Sequence, residues 1–164
     1  MNENFKFDIP NKLNLKTNDF FCCMSNGDGY FLHNIIDSIS GAVINERNAE
    51  DKLLFQRSSK FDNVRFINDI NELDESAFDK VVCFFDGDLF SDQPLKIMNN
   101  LINCTDHLGL VLVKNLPTQK NNKYNSCYSE NFFTNWLNSK GVFDVWLFRN
   151  GQYSFDLLFK VRKW

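Results

Sequence analysis

The sequence predicts a three-layer α/β fold, in which a mostly parallel sheet lies between helices and ends in an antiparallel β-hairpin. Short continuous apolar runs, typical of strands buried on both faces, alternate with segments whose apolar residues recur at helical spacing. The last two apolar runs, 142–148 and 153–161, are separated only by Arg149-Asn150-Gly151-Gln152. An Asn-Gly turn between apolar runs is a strong hairpin signal.

Five apolar runs predict the parallel strands. They are Phe20–Met24, Ala42–Asn45, Val64–Ile67, Val81–Phe85 and Leu108–Val113. The fourth run is entirely apolar, so we expect it at the centre of the sheet, where both faces are covered.

Four segments predict helices, because their apolar residues recur three or four positions apart. They are residues 31–39, 46–58, 95–102 and 130–139. In the second helix, which is mostly polar, we expect Leu53 and Leu54 to point inward. In the third, we expect one apolar face formed by Leu95, Met98 and Ile102.

Composition indicates one ordinary globular unit. The chain has 164 residues, 43% of them hydrophobic, with no repeat or linker, which predicts a single domain over residues 1–164 with residues 1–18 as an N-terminal extension. A net charge of −3 argues against a nucleic-acid partner, and we interpret Lys114, Lys120 and Lys123 as a solvated face. The lack of a long apolar span or a signal-peptide pattern predicts a cytoplasmic protein without membrane contact.

The five cysteines predict reduced, packed thiols. They show no Cys-x-x-Cys spacing, and three of them lie in apolar runs. No metal site is predicted from them, because neither histidine lies near a cysteine pair.

Four polar landmarks follow the predicted strands in order. The turn Ser25-Asn26-Gly27-Asp28-Gly29 follows the first strand, and Asn45 and Glu46 follow the second. Asp69 and Ile70 follow the third strand, and Phe85 and Asp86 stand at the end of the fourth. Open α/β sheets bind ligands at this carboxyl edge, so we expect these residues to meet there.

This arrangement resembles the class I S-adenosylmethionine (SAM)-dependent methyltransferases, a Rossmann-like family, from about residue 19 to the end of the chain. The resemblance implies SAM as cofactor, held by residues of all four landmarks. Those cofactor-binding residues would be Ser25, Asn26, Gly27, Asp28, Gly29, Asn45, Glu46, Asp69, Ile70 and Phe85. Two residues depart from the family pattern: Ser25 replaces the first loop glycine, and Cys23 replaces an acidic residue.

Within the family, a carboxylate after the second strand grips the ribose hydroxyls, because it can accept two hydrogen bonds from a vicinal diol. An acidic residue after the third strand meets the adenine amino group, and the next side chain packs on the ring. Glu46 with nearby Asn45, and Asp69 with Ile70, take these places by resemblance. Asp86 is the candidate general base at the edge where the transferred methyl group would lie.

Three functions remain open from the sequence. The first is in-line methyl transfer from SAM to an unidentified acceptor. The second is a catalytically inactive methyltransferase-like binding or scaffolding module, favoured by the altered glycine loop. The third is a metal-dependent nucleotide-sugar glycosyltransferase, since Asp86-Gly87-Asp88 resembles an Asp-x-Asp metal motif. The absence of large insertions between strands leaves three alternatives open. A large acceptor docks on an open cleft, a partner protein or second subunit completes the acceptor site, or the domain no longer catalyses.

Overall fold

One seven-stranded sheet organises the protein. The computed structural model describes residues 9–26, 35–46, 49–57, 62–90, 93–119 and 127–163. The strands are β1 (Phe20–Asn26), β2 (Gly41–Glu46), β3 (Val64–Phe66), β4 (Phe78–Phe84), β5 (Thr105–Pro117), β6 (Val145–Asn150) and β7 (Ser154–Lys160). Their order across the sheet is β3-β2-β1-β4-β5-β7-β6.

The sheet combines five parallel strands with an antiparallel hairpin. Strands β1 to β5 pair in parallel, whereas β7 pairs antiparallel with both β5 and β6. Strand β4 occupies the middle position, and its Val81 and Val82 are fully buried on opposite faces. The fold class predicted from the sequence is therefore confirmed, including the central place of the fourth strand and the terminal hairpin.

Helices cover the sheet on both faces. They are α1 (Ala49–Arg57), α2 (Gly87–Phe90), α3 (Pro94–Cys104) and α4 (Glu130–Ser139), with 3-10 turns at Ile36–Ser38 and Ile70–Glu72 and a helical turn at residues 9–13. Met98 and Phe133 anchor α3 and α4 in one core layer. Leu13, Ile35 and Phe55 pack in the layer on the opposite face. No helix in the described ranges is long and apolar enough to cross a membrane.

The inward face of α1 differs from the prediction. Leu53 and Leu54 are 51% and 64% exposed, whereas Phe55 is only 3% exposed. Phe55 stacks on Phe66 of β3, with ring centroids 6.1 Å apart. Successive helical residues are rotated by about 100°, so one short helix cannot point all three side chains inward. The aromatic residue, which buries the largest apolar area, occupies the core position.

The buried face of α3 is also shifted from the prediction. Ile97, Met98 and Leu101 are buried, while Leu95 and Ile102 lie at the margin of the same core layer. Pro94 opens the helix at its first turn, where its missing N–H costs no hydrogen bond and its fixed φ suits the helix.

A buried ion pair joins β5 to β7. The interpretation of Lys114 as part of a solvated face is wrong: its side chain is 2% exposed, and that of Asp156 is fully buried. The Asp156 carboxylate accepts hydrogen bonds from the Lys114 ammonium, from Lys12 Nζ at 3.1 Å and from the backbone N–H of Asn115 at 3.0 Å. The Asn150 side-chain amide also donates to it. One carboxylate thus connects four parts of the chain: the hairpin strands β6 and β7, the strand β5, and the N-terminal helical turn.

We expect Asp156→Ala to lower the free energy of unfolding by about 3 kcal/mol, because it leaves the Lys114 ammonium buried without its counterion. Replacing both partners with apolar residues, Lys114→Met with Asp156→Leu, should recover only part of this loss, because Lys12, the Asn115 N–H and the Asn150 amide still lose their acceptor. Urea denaturation followed by circular dichroism measures both. Glu130→Ala is the control, since it breaks an exposed pair with Arg149 and should cost less than about 1 kcal/mol. Equal losses for Asp156→Ala and Glu130→Ala would contradict this account.

Candidate functional site

The carboxyl ends of three parallel strands are tied together by the side chain of Asn45. Its Oδ1 accepts a hydrogen bond from the backbone N–H of Ser25 at 3.2 Å. Its Nδ2 donates to the backbone carbonyls of Ile67 and Asn68, each at 3.3 Å. Asn45 therefore satisfies backbone groups at the ends of β1 and β3 from its own place in β2. The sequence-predicted landmarks at these three strand ends do meet at one edge of the sheet.

Ser25 adopts the backbone conformation of a glycine. Its φ is +57° and its side chain is 3% exposed. The left-handed region is costly for residues with a Cβ and is normally reserved for glycine. The pairing of β1 with β2 also shifts register between Cys23 and Asn26. At the position where serine replaces the first glycine, Ser25 thus has a backbone conformation that glycine adopts more readily. Gly27, Asp28 and Gly29 lie outside the described residues.

Cys23 occupies the position where the resemblance expects a carboxylate. Burial raises the pKa of the Cys23 thiol well above its usual range, and the neighbouring Cys83 and Glu46 groups raise it further. The thiol therefore stays neutral at physiological pH. It supplies packing in the core rather than the negative charge of an acidic residue.

Glu46 brings a carboxylate to the end of β2. It lies opposite Asn26 in the pairing of β1 with β2, and it is 8% exposed. Its charge adds to the burial and the Cys83 group that raise the pKa of the Cys23 thiol. Glu46 and Asn45 hence differ in role within this structure, because the Asn45 amide links strand ends while Glu46 provides negative charge.

Asp69 forms the N-cap of the 3-10 turn after β3. Its side chain accepts a hydrogen bond from the Asn71 N–H at 2.9 Å, and Glu72 Oε2 accepts from the Asp69 N–H at 2.7 Å. This reciprocal capping box was readable from the spacing of Asp69 and Glu72, although the sequence analysis did not identify it. Asp69 remains exposed at the edge, whereas Ile70 is buried in the core layer of α3 and α4.

Strand β4 delivers Phe85 and Asp86 to the same edge. The Phe85 N–H donates to the Lys114 carbonyl at 2.9 Å, and the Asp86 carbonyl accepts from the Phe90 N–H at 2.9 Å, which starts α2. Asp86 is half-buried, and its charge adds to the burial that raises the pKa of the Cys83 thiol. The side chain of Asp88 is outside the described part of the structure.

An aromatic cluster stands beside the end of β4. Phe85 is 5% exposed and packs on Phe90 and Tyr128, with ring centroids 5.2 and 6.3 Å away. Tyr128 Oη donates to the Phe90 carbonyl at 3.3 Å and the ring stacks on Phe132, whose centroid is 5.8 Å away. The cluster links α2 to α4 and gives the edge an apolar wall near Asp86. Sequence reasoning missed Tyr128, which lies in a polar stretch with no periodic signal.

Comparison with solved structures identifies the fold. A SAM-dependent methyltransferase from Aquifex aeolicus superposes with a TM-score of 0.71 at 16% identity, covering 95% of this chain and 89% of that one. A SAM-dependent O-methyltransferase from Thermotoga maritima gives 0.70 at 12% identity, covering 100% and 67%. A methyltransferase in complex with the Haloferax volcanii Trm112 methyltransferase activator gives 0.73 at 9%, covering 96% and 88%. No protein-family model and no curated protein matches the sequence.

These similarities, at low identity, concern the fold. The chain has the Rossmann-like fold of class I SAM-dependent methyltransferases, with the mostly parallel sheet and antiparallel terminal strands described above. The resemblance predicted from the ordered landmarks is confirmed at this level.

We expect Ser25→Gly to raise the free energy of unfolding by about 0.5–1 kcal/mol, because glycine removes the cost of a left-handed backbone. Ser129 is a matched control, since it is exposed, has φ −73° and makes no side-chain cap hydrogen bond. Ser129→Gly should lower stability by a few tenths of a kcal/mol. Chemical denaturation measures both variants. A loss at Ser25 as large as that at Ser129 would show that the backbone there is unstrained.

Proposed function

We propose that the protein is a SAM-dependent methyltransferase that acts on an unidentified acceptor by in-line methyl transfer. The observation that carries this proposal is the glycine-like backbone of Ser25 at the end of β1, held by the Asn45 amide. Other non-glycine residues, such as Ser76, also have a positive φ, but Ser25 stands at the strand end where the resemblance places the glycine loop. The methyltransferase fold favours methyl transfer over the nucleotide-sugar alternative considered for Asp86 and Asp88.

The residues at the strand ends fit the chemistry of SAM. Glu46 would accept hydrogen bonds from the ribose hydroxyls, and Asp69 would accept one from the adenine amino group. The turn that starts at Ser25 and Asn26 would bring backbone close to the ligand. Ile70 and Phe85 would contribute apolar surface, although both are largely buried in the core layer. SAM supplies an electrophilic methyl group when it is bound.

Asp86 is the residue placed to handle a proton. It follows the central strand and is half-buried, and the residue before it, Phe85, packs its ring on Tyr128. An acceptor hydroxyl must lose its proton, and a carboxylate within hydrogen-bonding reach can take it. The aromatic cluster at this strand end would exclude water from that side and help to orient the acceptor in line with the methyl donor.

A partner protein or second subunit would complete the acceptor site. The sequence has no large insertion between the strands, so the chain itself offers little to enclose an acceptor. The Haloferax volcanii methyltransferase of similar fold was solved together with an activator protein, which supports such an arrangement for this fold.

A catalytically inactive binding or scaffolding module is the second candidate. The neutral Cys23 thiol favours it, because the edge lacks one carboxylate that the family pattern includes. The two candidates differ in an observable way. A methyltransferase binds SAM and its product S-adenosylhomocysteine and transfers the methyl group to an acceptor. An inactive module transfers no methyl group, and if it has lost the cofactor site it binds neither ligand.

We expect titration calorimetry to show binding of both SAM and S-adenosylhomocysteine. Glu46→Gln should weaken binding by about tenfold, since it replaces a charged acceptor of hydrogen bonds with a neutral one. Asp74→Asn is the control: Asp74 is exposed, its ion-pair partner is Arg65, and its loss should leave affinity unchanged. Thermal denaturation of each variant reports whether the fold is intact.

Absence of binding at millimolar SAM, with the protein folded, would overturn the methyltransferase proposal and favour the scaffolding module. If Glu46→Gln and the control Asp74→Asn lower the affinity for SAM by the same factor, Glu46 makes no specific contact with the ligand.

A further inference from the structure

The two edges of the sheet have opposite character. Strand β3 forms one edge with only three residues, and the exposed Arg65 stands in its middle. Strand β6 forms the other edge with six residues, Val145–Asn150. Short edge strands with a charged residue resist pairing with another chain, whereas longer apolar edges favour it. In the described part of the chain, β7 is the only strand that pairs with β6.

Strand β6 exposes apolar side chains on both faces of the sheet. Trp146 is 44% exposed on one face, and Leu147 is 36% exposed on the other. The residues that pair with them in β7, Leu158 and Leu157, are buried. The apolar side chains therefore become exposed only in the edge strand β6 itself. On the face of Trp146 an open cavity of about 300 Å³ reaches this edge; it is lined by Lys12, Leu110, Trp146, Phe148, Leu158 and Lys160. Apolar surface on both sides of an open edge is typical of a pairing site.

We propose that β6 pairs antiparallel with β6 of a second copy of this chain, joining two sheets across a twofold axis at Leu147. This proposal depends on the hairpin alone and is independent of methyl transfer. A twofold axis perpendicular to the sheet keeps each side chain on its own face, so two paired residues must both be odd-numbered or both even-numbered.

The register about Leu147 is the most self-complementary. It places Trp146 opposite Phe148 of the second copy on one face, and Leu147 opposite its own counterpart on the other. Aromatic and aliphatic cross-strand pairs of this kind each stabilise a sheet. An axis at Phe148 would instead set Trp146 opposite Asn150 and Leu147 opposite Arg149. An axis at Trp146 would set Phe148 opposite Asp144.

The charged groups near the edge are compatible with the Leu147 register. It sets Asp144 opposite Asn150, and Arg149 opposite Val145, so no like charges face each other. Arg149 and Asp144 also have partners within their own chain, Glu130 and Arg162. A second copy therefore adds backbone hydrogen bonds and apolar pairs without opposing charge.

Analytical ultracentrifugation of the full chain across the micromolar range tests the proposal. The wild-type protein should sediment as a dimer of its 19.2 kDa chain. Leu147→Lys should shift it to a monomer, because it places two ammonium groups opposite each other at the axis. Leu54→Lys makes the same change at a more exposed leucine on α1 and should leave the dimer intact. A monomeric wild-type protein, or a dimer that survives Leu147→Lys, would overturn the proposal.

Cross-linking tests the register without a destabilising charge. In a Cys127→Ser background, which removes the exposed thiol, Leu147→Cys sets two thiols opposite each other at the axis. Mild oxidation by copper phenanthroline and oxygen, which removes two electrons and two protons from the thiol pair, should give a covalent dimer. Arg65→Cys on the opposite edge is the control and should stay monomeric in a denaturing gel. Equal cross-linking of the two variants, or none of the Leu147→Cys variant, would contradict the register.

Discussion

The buried carboxylate of Asp156 fixes how the hairpin joins the parallel sheet. Along β7, Phe155, Leu157 and Phe159 face the core layer of α3 and α4, and Asp156 faces the opposite layer, where Lys114 and Lys12 meet it. A slip of one residue would turn the carboxylate into the first layer and the phenylalanines out of it. The ion pair therefore selects one register of β7 against β5. The placement of β6, and with it the outer edge of the sheet, follows from that choice.

A similar use of polar side chains shapes the opposite half of the sheet. There the Asn45 amide, from its place in β2, connects backbone groups at the ends of β1 and β3. The Asp69–Glu72 capping box closes the chain after β3. These hydrogen bonds stabilise the ends of the strands, while packing in the two apolar layers stabilises their central residues. The candidate site is thus a set of carboxylates and backbone groups at one edge of the sheet, with Ser25 in a left-handed conformation that is costly for a residue with a Cβ.

The sequence predicted the sheet well because buried strands and the Asn-Gly turn have strong local signals. It failed where a local pattern was weak or a partner was distant. The sequence predicts Leu53 and Leu54 on the inward face of α1, but the apolar residues of this helix do not gather on one face. The larger Phe55 occupies the core position instead. Lys114 directly follows the apolar run Leu108–Val113, and nothing nearby in the sequence indicates that it pairs with Asp156 in the core. At the candidate site, the order of landmarks was predictable, whereas the strand-linking role of Asn45 depends on contacts with β1 and β3.

The contrast between buried and exposed ion pairs has a consequence for ionic strength. The pair at Asp156 lies in the interior, where mobile ions screen it little, while Arg149–Glu130 and Arg162–Asp144 stand in solvent and are screened readily. Added salt therefore weakens the two exposed ion pairs of the hairpin more than the buried pair at Asp156. As ionic strength rises, β6 loses side-chain contacts at its exposed edge, while the buried pair that joins β7 to β5 is retained.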